Sequence, residues 1–189
     1  MKTLNTDFTL DKYGLSVRLV KEEDAEFIVK LRTNENLNKY INSTSTDINQ
    51  QIEWIRSYKK REKAGNDYYF IYHYHNEPVG VNRIYEINNN NFIHGSWIFT
   101  PNTKPYCSLA AAVIAREIAF DILELDIEID TAGIHKDNTG VLQFAKFMGE
   151  EFTGSYYSEK GEFLTGILTK ESFNKNKNKI LKLFPKKIL

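Results

Sequence analysis

The segment from Phe92 to Thr131 constrains the fold of this 189-residue chain more than any other. It reads as an apolar strand, a glycine-free turn, an alanine-rich helix, and a second strand in which apolar and acidic residues alternate. A strand–helix–strand unit of this kind forms a right-handed crossover, so its two strands lie parallel in one sheet. The sequence therefore predicts a sheet with a parallel pair inside it.

The rest of the chain surrounds this unit with strands and helices of clear periodicity. Further strands are predicted over residues 15–20, 68–75 and 79–87, together with a final hairpin that turns at 159–161. Helices are predicted over residues 21–32, 47–64, 108–123 and 138–148. The order β α α β β β α β α β β predicts a mixed sheet, mostly antiparallel, with helices on its faces, which is an α/β (α+β) architecture.

Composition excludes several classes of function. Lys and Arg number 25 and so do Asp and Glu, and this balance argues against a nucleic-acid partner. Cys107 is the single cysteine, so an intrachain disulfide is excluded, which suits a reducing compartment. The first 14 residues lack the apolar region of a secretory signal, and no apolar run reaches the ~20 residues of a membrane helix. A cytoplasmic protein without a membrane partner is expected.

Charge divides the chain unevenly. From Lys170 onward it carries seven lysines and one acid. We expect an N-terminal extension over residues 1–14, one folded domain over 15–169, and a basic C-terminal tail over 170–189 that lies outside the core. An alternative is a terminal helix that packs in a homodimer. Its contact residues would be Ile180, Leu181, Leu183 and Phe184.

Four stretches, in this order and spacing, resemble one family. They are "VRLVKEEDAEFIVKLR", "DINQQIEWI", "GSWIFTP" and "DNTGVLQFAKFMGEEF". Together they are similar to the GNAT superfamily of acetyl-CoA-dependent N-acetyltransferases, nearest to the branch with ribosomal-protein and amino-sugar acetyltransferases. The similarity covers about residues 15–169. It implies the GNAT fold, a twisted sheet whose central parallel pair, 92–100 and 125–131, splays apart, and it implies N-acetyltransferase activity.

The resemblance also implies a site for acetyl-CoA. In the family the pantetheine arm lies between the splayed strands and the pyrophosphate sits at the following helix N-terminus, where backbone N–H groups attract anions. The matching stretch here is "KPYCSLA", and Asn138 would bond the cofactor arm. The implied cofactor-binding residues are Trp97, Phe99, Lys104, Cys107, Ser108, Leu109 and Asn138.

Departures from the family pattern in the phosphate loop and in the closing helix affect this interpretation. The phosphate loop lacks the family's glycines, so the turn is either a phosphate site with small residues in their place or a plain connector. The tyrosine that many members use to protonate the departing thiolate corresponds to Ala145 here. Solvent or another group must then supply the proton. Gly149 is followed by Glu150 and Glu151 where the family has phenylalanine.

The implied reaction is direct attack of a neutral amine on the thioester, which requires a base. Glu86 and His94, on adjacent strands, are the candidates, although a solvated Glu86 and an ordinary hairpin His94 are the alternatives. His135 in the loop after the fifth strand is more typical of a surface histidine. His73 and His75 alternate on one strand without an evident third ligand, so no metal is expected.

The acceptor is expected to be a small-molecule amine. Arg32 precedes the polar segment 33–46 and Tyr40 lies within it; the resemblance implies that this region forms the acceptor wall, as in this branch of the family. An arginine there would pair with a carboxylate or phosphate, or would only stabilise the C-terminus of its helix. The hydroxyl-rich segment weakly favours an amino-sugar nucleotide. The alternatives are acetylation of a protein N-terminus, as in ribosomal-protein acetyltransferases, and a catalytically degenerate CoA-binding module.

Overall fold

The computed structural model describes residues 2–188, and over them it forms an eight-stranded mixed sheet with helices on both faces. The strands are β1 (Thr9–Lys12), β2 (Leu15–Leu19), β3 (Asp67–Tyr74), β4 (Glu77–Asn88), β5 (Asn91–Phe99), β6 (Ile127–His135), β7 (Glu151–Ser158) and β8 (Gly161–Thr169). The main helices are α1 (Ala25–Arg32), α2 (Ile48–Lys63), α3 (Pro105–Glu117), α4 (Thr139–Met148) and α5 (Lys170–Leu181).

The strand order across the sheet is β1-β2-β3-β4-β5-β6-β8-β7. β5 and β6 pair in parallel, whereas their neighbours pair antiparallel. The helix α3 connects β5 to β6, as a crossover between parallel strands requires. The predicted fold class, a GNAT-like mixed sheet with a central splayed parallel pair, is therefore confirmed.

Local sequence signals explain where the helices begin and end. The Asp47 side chain accepts a hydrogen bond of 2.8 Å from the Asn49 N–H and so caps α2. Thr169 caps α5 in the same way through the Ser172 N–H. α4 ends at Gly149, whose φ of +98° is the left-handed conformation that glycine adopts without strain.

Two apolar cores lie on opposite faces of the sheet. The larger core joins α3 and α5 to one face, and its largest fully buried side chains include Tyr68, Phe70 and Phe120. The smaller core joins α1 and α2 to the other face through residues such as Ile28 and Ile55. Because both faces of the central strands are covered, polar side chains that lie there are held away from bulk water.

The C-terminal segment differs from its prediction as a tail outside the core. α5 covers most of it, and Phe173, Ile180 and Phe184 are buried in the larger core. The Phe173 ring lies 5.4 Å from the Phe120 ring, centroid to centroid. The lysines of this segment instead face outward or form ion pairs, such as the 3.1 Å contact between Lys177 and Glu117. The segment is thus part of the folded core.

Two other boundaries also shift. Residues 9–12 form β1, which pairs with β2 at the edge of the sheet, so part of the expected extension belongs to the sheet. α3 begins at Pro105, three residues before the predicted start, because proline at the first helical position already has the required φ. The helix continues past Glu117 as a π-helical turn over Ile118–Ile122.

Gly80 provides a test of the packing beside the site. It pairs with Phe99 across β4 and β5, and a Cβ built on it would overlap the Phe99 ring. We expect Gly80→Ala to lower the free energy of unfolding by about 1–3 kcal/mol, the range for overpacked positions. Gly140→Ala is the control, because within residues 2–188 nothing lies within 4 Å of a Cβ there. Chemical denaturation should show no loss for that control.

Candidate active site

The parallel pair opens soon after it forms. Asn91 pairs with Ile127 and Phe92 with Glu128, and these are the pairings of β5 with β6 across residues 2–188. Beyond them β5 runs on to Phe99, while the far end of β6 pairs with β8. A cavity of about 770 Å³ occupies the opening, a volume typical of small-molecule sites.

A bulge in β5 shapes one wall of this cavity. Val81 pairs with Ile98 and Arg83 with Gly95, so β5 carries one residue more than β4 between the two pairs. Ser96 within the bulge has a φ of +50°. Bulges redirect side chains and backbone groups at functional sites, and this one turns Gly95, Ser96 and Trp97 toward the cavity.

A buried polar cluster lies where the two strands part. Its members are Arg116 on α3, Glu128 and Asp130 on β6, and Glu150 in the α4–β7 turn, all of which line the cavity at 9% exposure or less. Arg116 donates to Glu128 across 2.7 Å and to the Ala112 carbonyl across 3.1 Å. One guanidinium thus faces three carboxyl groups and is hydrogen-bonded to one of them, Glu128.

The cluster changes the protonation of its members. Burial raises the pKa of Glu128 and of Asp130, although the positive charge of Arg116 opposes both shifts. The pKa of Glu150 rises to about 8, first because the carboxyl is buried and then because Glu128 and Asp130 repel its negative charge. Glu150 is therefore mainly protonated at neutral pH.

The two predicted base candidates lie in different places. His94 lines the cavity, and its Nε2 atom is buried with no hydrogen-bond partner among the described residues. Burial and the nearby Arg116 lower the pKa of His94 well below its usual value, so the ring is neutral. Glu86 is exposed, with a φ of +53° in a second irregular stretch of β4, and faces solvent away from the cavity. The structure does not bring it to His94.

The predicted phosphate loop forms the start of α3. Lys104 is the N-cap residue and is exposed, while Ser108 donates its hydroxyl hydrogen to the Pro105 carbonyl. Cys107 is buried, and burial raises the pKa of its thiol, which makes it a poor nucleophile. Leu109 packs against the larger core. As far as residues 2–188 show, no side chain caps this helix. Pro105 has no N–H, and the Cys107 N–H donates to the Lys104 carbonyl across 2.9 Å.

Trp97 separates this loop from the cavity. Its indole N–H donates to the Ser108 carbonyl across 3.1 Å, and its ring lies 5.3 Å from the ring of Phe144 on α4. Phe99, the other predicted contact on β5, turns instead toward Gly80 and lies 5.6 Å from the Tyr72 ring. The Trp97 side chain thus connects the start of α3 to the wall of the cavity.

The α1–α2 loop closes the opposite side of the cavity. Arg32 holds this loop through hydrogen bonds to the Thr44 hydroxyl at 2.6 Å and the Asn42 carbonyl at 3.3 Å. The Tyr40 hydroxyl donates to the Asp137 carbonyl across 3.2 Å, and its ring lies 4.9 Å from the His135 ring. Lys160 in the β7–β8 turn donates to the Ile41 carbonyl across 2.8 Å. The loop thus spans from α1 to the β6–β8 side.

Asn138, His94, Trp97, Arg32 and Tyr40 are predicted site residues that the structure brings to one cavity. Their individual roles stay predictions. Asn138 is the N-cap residue of α4, and its backbone N–H donates to the His135 carbonyl across 2.8 Å. Within residues 2–188 no cluster of three or more metal-ligating side chains occurs, and no helix combines the length and apolarity that crossing a bilayer needs.

The sequence interpretation missed the cluster of Arg116, Glu128, Asp130 and Glu150. Glu128 and Asp130 alternate with isoleucines in "LDIEIDT", a pattern that usually marks a strand with one solvated face. The available signal was the position of that strand. A central parallel strand is covered on both faces, so acids placed there must be buried beside the opening.

These features define an acyltransferase of the GNAT class. The chain matches the family model for the acetyltransferase (GNAT) domain over residues 15–150, and it belongs to this family. Acetyl transfer to an amine is accordingly its activity. In a sequence comparison, no curated protein matches the chain.

Solved structures support the same assignment. A structure described as apo FdhC, a nucleotide-linked sugar GNAT, is 34% identical, covers 95% of this chain and 99% of its own, and has a TM-score of 0.80. The ribosomal-protein-S5-alanine acetyltransferase from Vibrio fischeri is 13% identical, with coverages of 88% and 99% and a TM-score of 0.75. Spermidine N-acetyltransferase from Vibrio cholerae, in complex with CoA and spermine, is 17% identical, with coverages of 85% and 98% and a TM-score of 0.71.

Proposed function

We propose that this protein transfers the acetyl group of acetyl-CoA to a primary amine of a nucleotide-linked amino sugar. The observation that carries the proposal is the enclosed, polar acceptor side of the cavity in a chain 34% identical to a nucleotide-linked sugar GNAT. The α1–α2 loop contributes hydroxyl and amide groups from Asn42, Ser43, Thr44 and Ser45 to this wall. Such groups suit a sugar, and Arg32 beside them suits a phosphate.

The residues present fit acetyl-CoA as the donor substrate. The opening between β5 and β6 leaves backbone groups of Gly95, Ser96 and Trp97 available to amides of an extended ligand. The uncapped start of α3 and the exposed Lys104 suit its phosphates. Asn138 lies at the other side of the opening. Bound there, the donor supplies the acetyl thioester on which the amine acts.

His94 is the base that we assign to the acceptor amine. It is neutral, it lines the cavity, and its Nε2 atom is buried without a partner in the described part of the chain. The acceptor nitrogen becomes acidic once it bonds to the acetyl carbon, so even a weakly basic imidazole can take its proton. Glu86 is not carried into this mechanism because it faces solvent.

The closed loop argues against a protein N-terminus as acceptor. A polypeptide needs an open groove, whereas the contacts of Tyr40 with Asp137 and of Lys160 with Ile41 close this side. A degenerate CoA-binding module would keep the opening without turnover. Activity measurements therefore decide between the three functions.

The test measures release of CoA thiol with DTNB and acetylated product by mass spectrometry. The purified chain is given acetyl-CoA with a dTDP- or UDP-linked amino sugar, the same amino sugar without its nucleotide, spermidine, or a peptide with an N-terminal alanine. We expect the nucleotide-linked amine to exceed the unlinked one at least ~10-fold in kcat/KM, which corresponds to about 1.4 kcal/mol of binding to the nucleotide. Turnover of spermidine or peptide alone contradicts the proposal. Because Cys107 is buried, a blank without acceptor corrects for its slow reaction with DTNB.

A further inference from the structure

Glu150 occupies an unusual position for a carboxyl group. It follows Gly149 in the α4–β7 turn, and its N–H donates to the Ala145 carbonyl across 3.0 Å. Its side chain points inward at 9% exposure, and within residues 2–188 its Oε1 atom has no hydrogen-bond partner. That oxygen lies against β8, only 2.7 Å from where a Cβ on Gly166 would stand. Glu150 and Ala145 both line the cavity.

The surroundings of Glu150 keep its proton in place. β6 contributes Glu128 and Asp130, and α3 contributes Arg116, which is already engaged by Glu128 at 2.7 Å. α5 contributes the uncharged Ser172 and Asn176 beside Gly149. Burial and the two carboxylates together raise the pKa of Glu150 to about 8. A neutral carboxylic acid thereby lines the cavity, protonated by the same physical means as other catalytic acids.

We propose that Glu150 is the general acid that protonates the departing thiolate during acetyl transfer. The proposal rests on the acetyltransferase activity of the family, whichever amine is the acceptor. A thioester leaves as a thiolate, and an ordinary thiol has a pKa of about 8.5. An acid works best when its own pKa lies near that of the leaving group and near the working pH. Ala145 and Glu150 line the same cavity, so the acid lies near the position where the family resemblance places the tyrosine.

The step balances as follows. The neutral amine nitrogen bonds to the acetyl carbon, and the carbonyl electron pair moves to oxygen. When the carbonyl re-forms, the carbon–sulfur bond breaks and its electron pair stays on sulfur, which takes the proton of Glu150. The surplus proton of the new amide nitrogen goes to His94. Glu150, left as a carboxylate beside Glu128 and Asp130, regains a proton from solvent or through His94, so amine and acetyl-CoA give amide and CoA thiol.

The decisive experiment compares Glu150→Gln with the wild-type chain, using acetyl-CoA and any amine that the wild type acetylates. We expect kcat to fall about 100-fold, at the lower end of what a positioned acid contributes. Both KM values should stay within about threefold, because glutamine keeps the size and polarity of the side chain. Glu151→Gln is the matched control, since the neighbouring carboxylate is exposed, and its kcat should be unchanged.

Two further readouts separate an acid from a structural residue. The wild-type kcat should fall as pH rises through about 8, because an acid must be protonated to act, and Glu150→Gln should lose this limb. Acetyl-seleno-CoA matches acetyl-CoA in shape, but its selenolate is a much weaker base and needs no proton. The loss caused by Glu150→Gln should therefore be at least ~10-fold smaller with the selenium donor. Equal losses with both donors, or a wild-type kcat that rises through pH ~8, overturn the proposal.

A titration of the Glu150 carboxyl tests the proposal without any acceptor amine, because it needs no catalysis. Carbon-13 NMR of chain labelled at glutamate carboxyls should show one carboxyl that titrates near pH 8 and is missing from Glu150→Gln. A Glu150 signal that titrates below pH ~6 overturns the proposal even if no amine is acetylated. A different outcome contradicts only the proposed substrate. In that outcome nucleotide-linked amino sugars are not acetylated, but with another amine the wild-type kcat still falls above pH ~8 and the selenium donor still reduces the loss caused by Glu150→Gln.

Discussion

Replacing Arg116 with methionine is expected to lower the free energy of unfolding by about 3–5 kcal/mol, the range for breaking a buried ion pair from one side. The guanidinium and the Glu128 carboxyl are 7% and 4% exposed as side chains, so water screens neither. Without Arg116, Glu128 must either remain charged and unpaired or take up a proton. Urea denaturation at neutral pH, with the transition followed by circular dichroism, measures the loss.

Two comparisons make this expectation specific. The double variant Arg116→Met/Glu128→Leu should recover most of the stability, because a buried pair replaced by apolar groups of similar size is often neutral. Arg56→Met removes an arginine from an exposed pair with Glu22, whose side chains are 53% and 49% exposed. It should cost far less than Arg116→Met, because water screens an exposed ion pair. Equal losses for Arg116→Met and Arg56→Met would show that burial does not govern the pair.

The second large effect concerns the C-terminal helix. We expect Phe173→Ala to cost about 3–5 kcal/mol in unfolding free energy, since a fully buried ring is removed and a cavity is left. Phe173 contacts Phe120 in the larger core at 0% exposure. Thermal and chemical denaturation measure the change. Leu183→Ala, at a side chain with 56% exposure, should stay within about 0.5 kcal/mol. If Phe173→Ala lowers the unfolding free energy no more than Leu183→Ala does, α5 contributes little to the stability of the core.

The sequence predicts most elements because their periodicities are strong. It misleads in the C-terminal segment, where many lysines surround the few apolar residues that are buried. In α5, lysine and asparagine alternate between Phe173 and Ile180, which stand seven residues apart and share a helix face, and the buried Phe184 follows the helix. A count of helical spacing would have found this stripe, whereas composition alone indicated a frayed tail.

The site was predictable only in part, for a physical reason. His94 lies at the opening as the strand alternation predicts, and Asn138 lies there as the family resemblance implies. Glu86 was misplaced because positive φ at that residue and a local register shift break the alternation that the prediction assumed. The link from Arg116 to Glu128 joins residues twelve apart on different elements. Such a contact depends on how α3 packs against β6, which local pattern does not specify.

The early parting of β5 from β6 has a consequence for the association of chains. Unpaired strand edges at the periphery of a sheet recruit strands from other molecules and promote aggregation. Here the unpaired edge lies in the interior, between α4 on one side and the anchored α1–α2 loop on the other. An extended ligand in the cavity can reach this edge. Over residues 2–188, the chain thus leaves this part of its sheet incomplete inside the cavity rather than at an outer edge.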